Sequence, residues 1–150
     1  MTNGQSPQLD RLSDASNMAL FRARGAVTEH GGASITDVHL MMGLLNAAPD
    51  LAPLLSPRLP VQKLGECLIG AIVSSSMPPS GAEVPMDETV TRVLKRAGEL
   101  ASAPDSKIEP AHLMLALLRD AGSGGAVGCL KQVGVDVDAA ATALAEHIAG

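Results

Sequence analysis

Two histidines raise the first chemical question. His39 and His112 hold the same place in two near-copies of one segment, Ile35–Leu45 and Ile108–Leu118, 73 positions apart. A matched imidazole pair is a candidate metal site or acid–base pair. Within its own helix, however, neither histidine has a Cys, Asp or Glu at ligand spacing, and His30 and His147 stand alone. An imidazole two or three residues into an apolar helix has another use. It satisfies backbone groups near the helix start while its ring packs in the core. Gly122-Ser123-Gly124-Gly125-Ala126-Val127-Gly128 is a second candidate, for a phosphate-cradling loop. Such loops need a preceding strand, and the apolar pattern before Gly122 is helical, so an inter-helix loop is expected. No Gly-x-x-x-x-Gly-Lys-[Ser/Thr] occurs, so ATP should be neither bound nor hydrolysed. Cys67 and Cys129 lie inside apolar helical patterns and read as buried free thiols. Met41, Met42 and Met114 read as core, whereas Met18 and Met86, near helix starts, should reach a surface. These residues imply no enzyme, no cofactor and no metal site. The competing class is a small-molecule-binding or enzymatic helical domain using His39 and His112 or Gly122–Gly128.

The elements that position these residues follow from composition. The chain has 150 residues, is 46% hydrophobic, and contains one aromatic residue, Phe21. A core of Leu, Ile, Val, Ala and Met favours helix on helix over a sandwich of sheets. A net charge of −5 without a basic run argues against nucleic acid. No apolar run approaches the ~20 residues of a membrane span. Met1–Leu9 lacks the basic start and apolar stretch of a signal peptide, so the cytoplasm is expected.

The chain then reads as one unit written twice. Ser13 caps a first helix with Asp14 in its first turn and Ala19, Leu20, Ala23, Ala26 and Val27 on its apolar face. Thr36 caps a second that is apolar nearly all round, as a central helix must be. A short helix near Asp50–Leu55 precedes a fourth from Pro60, with Val61, Leu64, Leu68 and Ile72 inward. After a Ser/Pro-rich linker the cycle restarts. Asp87 caps a helix with Val90, Val93, Leu94, Ala97, Leu100 and Ala101 inward, and Pro110 opens the second central helix. Gly124–Val133 holds a short helix ended by Gly134, and Asp136 caps the last, which buries Val137, Ala140, Leu144 and Ile148. Leu12 aligns with Met86, Leu20 with Leu94, Ala23 with Ala97, Leu68 with Leu144 and Ile72 with Ile148. The expected architecture is all-α: two tandem four-helix repeats, 12–74 and 86–149, packed as a pseudo-twofold single domain. Residues 1–11 are expected to be disordered and 75–85 to be the linker.

Leu12-Ser13-Asp14-Ala15-Ser16, the two central segments, Arg119–Leu130 and Val133-Gly134-Val135-Asp136 together carry a resemblance. The chain resembles the Clp N-terminal domain, the double-repeat module at the front of Clp-type AAA+ unfoldases. That family's repeat opens with Thr or Ser before an amphipathic helix, continues through an Ile-Gly-Thr-Glu-His-Leu-Leu-Leu-Gly-Leu-Leu-like segment, and closes on a Leu-Gly-Val-Asp-like helix start. The close of the first repeat, here Pro-rich, departs from the pattern. The resemblance implies a noncatalytic protein-binding module of the Clp unfoldase/protease system, docking substrates or adaptor proteins. It would be a monomer, either stand-alone or one domain of a longer unfoldase. The implied contact residues lie at the duplicated helix starts: Ser13, Asp14 and Val38 in one repeat, Asp87, Glu88 and Ala111 in the other. Branches of the family that read phosphoarginine place a Glu immediately before the motif His. Val38 and Ala111 stand there, so a guanidinium would find no carboxylate at that position.

Overall fold

The computed structural model describes residues 12–30, 34–72, 86–101, 107–120 and 125–149. The expected disordered start (1–11) and linker (75–85) lie outside them, as do 122–124 of the glycine-rich stretch. The fold is all-α. Repeat one comprises α1 (Asp14–His30), α2 (Asp37–Ala47), a 3-10 turn (Pro49–Leu51) running into α3 (Ala52–Leu55), and α4 (Val61–Ala71). Repeat two comprises α5 (Glu88–Leu100), α6 (Pro110–Asp120), α7 (Gly125–Gln132) and α8 (Val137–Ala149).

Local chemistry sets the ends of these helices. The Ser13 hydroxyl accepts from Ser16 N–H at 3.2 Å, Asp87 from Val90 N–H at 2.9 Å, and Asp136 from Ala139 N–H at 3.1 Å. Each bond satisfies a donor that the first helical turn leaves orphaned. Gly134, with φ +93°, terminates α7. Its N–H donates to Lys131 O and Val135 N–H to Leu130 O, the two bonds of a Schellman motif. Buried Val135 and Leu130 supply the hydrophobic contact that accompanies it.

α2 and α6 form the centre. Leu40, Met41 and Leu44 in one, and Leu113, Met114 and Leu117 in the other, are fully buried. α1 packs on α2 and α5 on α6, while the third helix of each repeat packs on the fourth of the other: α3 on α8 and α4 on α7. The repeats are therefore interleaved rather than merely adjacent. Two isolated parallel bridges mark the pseudo-twofold axis, Leu12 with Ile108 and Ile35 with Met86. They are held by Ser13 N–H to Ile108 O at 3.1 Å and Asp87 N–H to Ile35 O at 3.0 Å. These four positions are one pair of equivalent contacts seen twice.

Two expectations are corrected. Val61 points outward: Pro60 stands in the cap position rather than inside the helix, and the first turn of α4 lies at an open edge beside Gln62, Lys63 and Glu66. Met86 does not reach the surface freely. Its bridge to Ile35 holds it half-buried against the core.

Candidate partner-binding surface

The two histidines do the same job in each repeat, and the job is capping. Thr36 N–H donates to His39 Nδ1 at 3.0 Å, and Glu109 N–H donates to His112 Nδ1 at 2.9 Å. Each His is the third residue of its helix, the place that Glu or Gln takes in a capping box. A ring nitrogen that accepts a backbone proton is unprotonated, which leaves the ring proton on Nε2. The Thr36 hydroxyl, 2.9 Å from the same Nδ1, donates to it as well. Among the described residues, no group of three or more His, Cys, Asp or Glu could hold a metal ion.

The glycine-rich stretch ends in a helix start that is already occupied. Asp37, buried at the start of α2, accepts a 2.9 Å hydrogen bond from Ala126 N–H in the first turn of α7. A phosphate would use those backbone donors and that end of the helix dipole. Here a carboxylate from the other repeat takes one of those donors, 89 positions away in sequence. Local reading assigns Asp37 only to the dipole of its own helix, because nothing nearby in sequence reveals a partner so distant.

The helix-start residues divide into joints and surface. Ser13 and Asp87 are joints: their side chains cap and their backbones bridge the repeats. Ser16, fully buried, reinforces one joint by donating its hydroxyl to Ile108 O at 2.6 Å. Val38 and Ala111 are 4% and 6% exposed, so neither offers its side chain on the outside. Asp14 and Glu88 are exposed.

Asp14 leads to a surface that the spacing of the motifs does not single out. Asp14, Met18, Phe21 and Gly25 recur at helical spacing along one outer stripe of α1. Met18 is 44% exposed and Phe21 67%, the highest exposure among the large hydrophobic side chains of the described residues. Beside Phe21, a groove of about 310 Å³ opens between α1 and α2, lined by Arg22, Gly25, Glu29, Met42 and Asn46 among others. The other side of α1 is committed to packing. Ala19, Ala23 and Val27 are fully buried, and α2 approaches so closely that a Cβ on Gly43 would meet Ala19 O and Ala23 N, the latter at 2.8 Å. The signal available in sequence was the position of the sole aromatic residue, off the apolar face of its own helix.

Residues 85–149 match the Clp repeat (R) N-terminal domain family. The fold is similar to the N-terminal domain of the caseinolytic protease associated chaperone ClpD from Arabidopsis thaliana: TM-score 0.75, 21% identity, covering 94% of this chain and 96% of that one. It is also similar to the Hsp104 N-terminal domain from Candida albicans, with TM-score 0.74 and 20% identity over 91% of this chain and 90% of that one. A chain from a malarial protein secretion system gives TM-score 0.74 and 13% identity over 92% and 95%. Comparison with curated proteins finds no match. The fold is thus a duplicated all-α one, similar to that of the ClpD and Hsp104 N-terminal domains. Family match and fold together support a Clp N-terminal domain, the match itself falling on the second repeat.

Proposed function

We propose that the chain is a noncatalytic protein-binding module of the Clp unfoldase system, docking unfolded substrate segments or adaptor proteins on the outer stripe of α1. One observation carries this reading: Met18 and Phe21 lie exposed on a helix whose opposite face is already packed against α2. An exposed aromatic beside a groove is a natural anchor for a partner's apolar side chains. Asp14 rims the same stripe, and the chain carries net charge −5, so segments with a Lys or Arg flank are favoured. Ser13 and Asp87 act at one remove, by holding the helix starts in place. Glu88 belongs to the equivalent, charged stripe of repeat two. Val38 and Ala111 lie beneath the surface and take no direct part. The domain works as a monomer, with protein partners and without nucleic acid, membrane or cofactor.

The test is a fluorescence-anisotropy titration with two labelled peptides of identical apolar sequence, one flanked by Lys and one by Glu. The expected result is saturable micromolar binding, tighter for the Lys-flanked peptide and lost in Phe21→Ala. Absence of saturable binding to either peptide, or binding that Phe21→Ala leaves intact, would contradict the reading.

A further inference from the structure

The chain has two cysteines, and the fold brings them together. Cys67 on α4 and Cys129 on α7 are free thiols that line one groove where these two helices pack across the boundary between the repeats. Cys67 Sγ also lies 3.4 Å from Gln132 Oε1. Both thiols line an open groove whose other walls include Gly70, Ala71, Gly125 and Gly128. Those four residues carry nothing beyond a Cβ, and Gln132, hydrogen-bonded to Cys67, is the one longer side chain lining the groove. Cys67 is half-buried and Cys129 buried, which makes Cys67 the accessible member. The backbone bridges, helix caps and α1 stripe use neither thiol.

We propose that Cys67 and Cys129 form a reversible dithiol–disulfide couple that staples α4 of repeat one to α7 of repeat two. The oxidant is hydrogen peroxide. The sulfur of Cys67 attacks one peroxide oxygen, the O–O bond breaks, and water leaves with the thiol proton, giving a sulfenic acid. The sulfur of Cys129 then attacks that sulfenic sulfur. The S–O bond breaks, and hydroxide departs as a second water with the proton of Cys129. One peroxide is reduced and two thiols are oxidised. The order of events follows from the environment: burial, reinforced by the contact with Cys67, pushes the Cys129 thiol up to about 12. It is therefore a poor first nucleophile and waits for a sulfenic acid in contact with it. Because the chain has no other cysteine, only one intrachain pairing exists. Closing the long loop between 67 and 129 removes freedom from the unfolded chain and stabilises the paired repeats.

The experiment treats the purified full chain with hydrogen peroxide, then unfolds it, alkylates it with iodoacetamide and measures its mass. The expected product is unalkylated and about 2 Da lighter, the mass of the two thiol hydrogens lost on pairing. It should return to the dithiol with dithiothreitol, yield a Cys67–Cys129 linked peptide, and melt at a higher Tm than the reduced chain. In Cys129→Ala, the intrachain species should vanish while Cys67 still takes up oxygen. Oxygen addition at Cys67 of the wild type with Cys129 still alkylatable, or an intermolecular dimer alone, would overturn the couple. A linked product melting no higher than the reduced chain would overturn the staple.

Discussion

α1 and α5 occupy equivalent places in a duplicated fold, yet their outer stripes are opposites. Where α1 shows Asp14, Met18, Phe21 and Gly25, α5 shows Glu88, Arg92, Lys95 and Glu99. Glu88 finds Arg92 four residues on, at 3.2 Å; Asp14 finds Met18. The flanks of the two helices differ in the same sense. Arg96 reaches across to Asp120 of α6 at 3.3 Å and approaches Glu99 at 3.8 Å. The equivalent place in repeat one, between α1 and α2, holds the groove beside Phe21. The inner faces, by contrast, agree: Ala19 matches Val93, Ala23 matches Ala97, and both sets are buried. Duplication has kept the packing and released the surface. One repeat is finished with charge, as a solvated face should be, and the other keeps apolar side chains that the fold does not need.

Substitutions at matched positions sharpen this comparison, beginning in the shared core. Leu44→Ala and Leu117→Ala remove equivalent, fully buried side chains and should each cost about 2–5 kcal/mol by chemical denaturation. A cost below about 0.5 kcal/mol at either site would break the equivalence of the central helices. Next in size is Gly43→Ala. An alanine in mid-helix ordinarily gains about 1 kcal/mol over glycine. Here the new Cβ meets backbone of α1 that cannot move aside cheaply, so a net loss of about 1–3 kcal/mol is expected. Ala116→Gly, the reverse change at the equivalent, fully buried position, should cost about 1–2 kcal/mol, from helix propensity and the loss of one buried methyl. A gain in stability from Gly43→Ala, mirroring the loss from Ala116→Gly, would mean that α1 and α5 sit equally close to their central helices.

Smaller effects test the caps and the charged stripe. His39→Ala and His112→Ala each remove the acceptor for one backbone N–H and should cost about 0.5–2 kcal/mol, more at the buried His39. Gln at either position should restore part of that loss, because Gln serves the same place in a capping box. If Gln behaves like Ala, the capping role is wrong. Arg96→Ala opens an exposed ion pair and should change stability by less than about 1 kcal/mol, an effect fading with salt.

Much of the fold was legible because helix periodicity and punctuation are local. Apolar spacing found the eight α-helices of the described residues, Ser13, Asp87 and Asp136 announced their caps, and Gly134 announced its stop. Repetition added the long-range fact that the two halves pair. What stayed hidden depends on the particular three-dimensional neighbour. Asp37 capping α7, Met86 pinned by Ile35, and Cys67 sharing a groove with Cys129 all join residues far apart in sequence. Val61 read as inward because its spacing from Leu64 is helical, but spacing does not show where the packing partner ends. The α1 stripe was obscured by the motifs themselves. The duplicated histidines and the glycine-rich loop drew the chemical reading toward groups whose hydrogen bonds are structural. The unduplicated residues Met18 and Phe21 carried the difference between the repeats.

The central claim, that docking lies on repeat one because its stripe was left apolar, is tested most directly by exchanging the two stripes. Met18→Arg with Phe21→Lys gives α1 the side chains of α5, and Arg92→Met with Lys95→Phe does the reverse. All four sites are exposed, so each double variant should retain the wild-type fold by circular dichroism and melt within a few degrees of it. Titrated with the labelled Lys-flanked apolar peptide, the first variant should lose binding and the second should keep the wild-type site. Undiminished binding by the variant carrying Met18→Arg and Phe21→Lys would contradict the account.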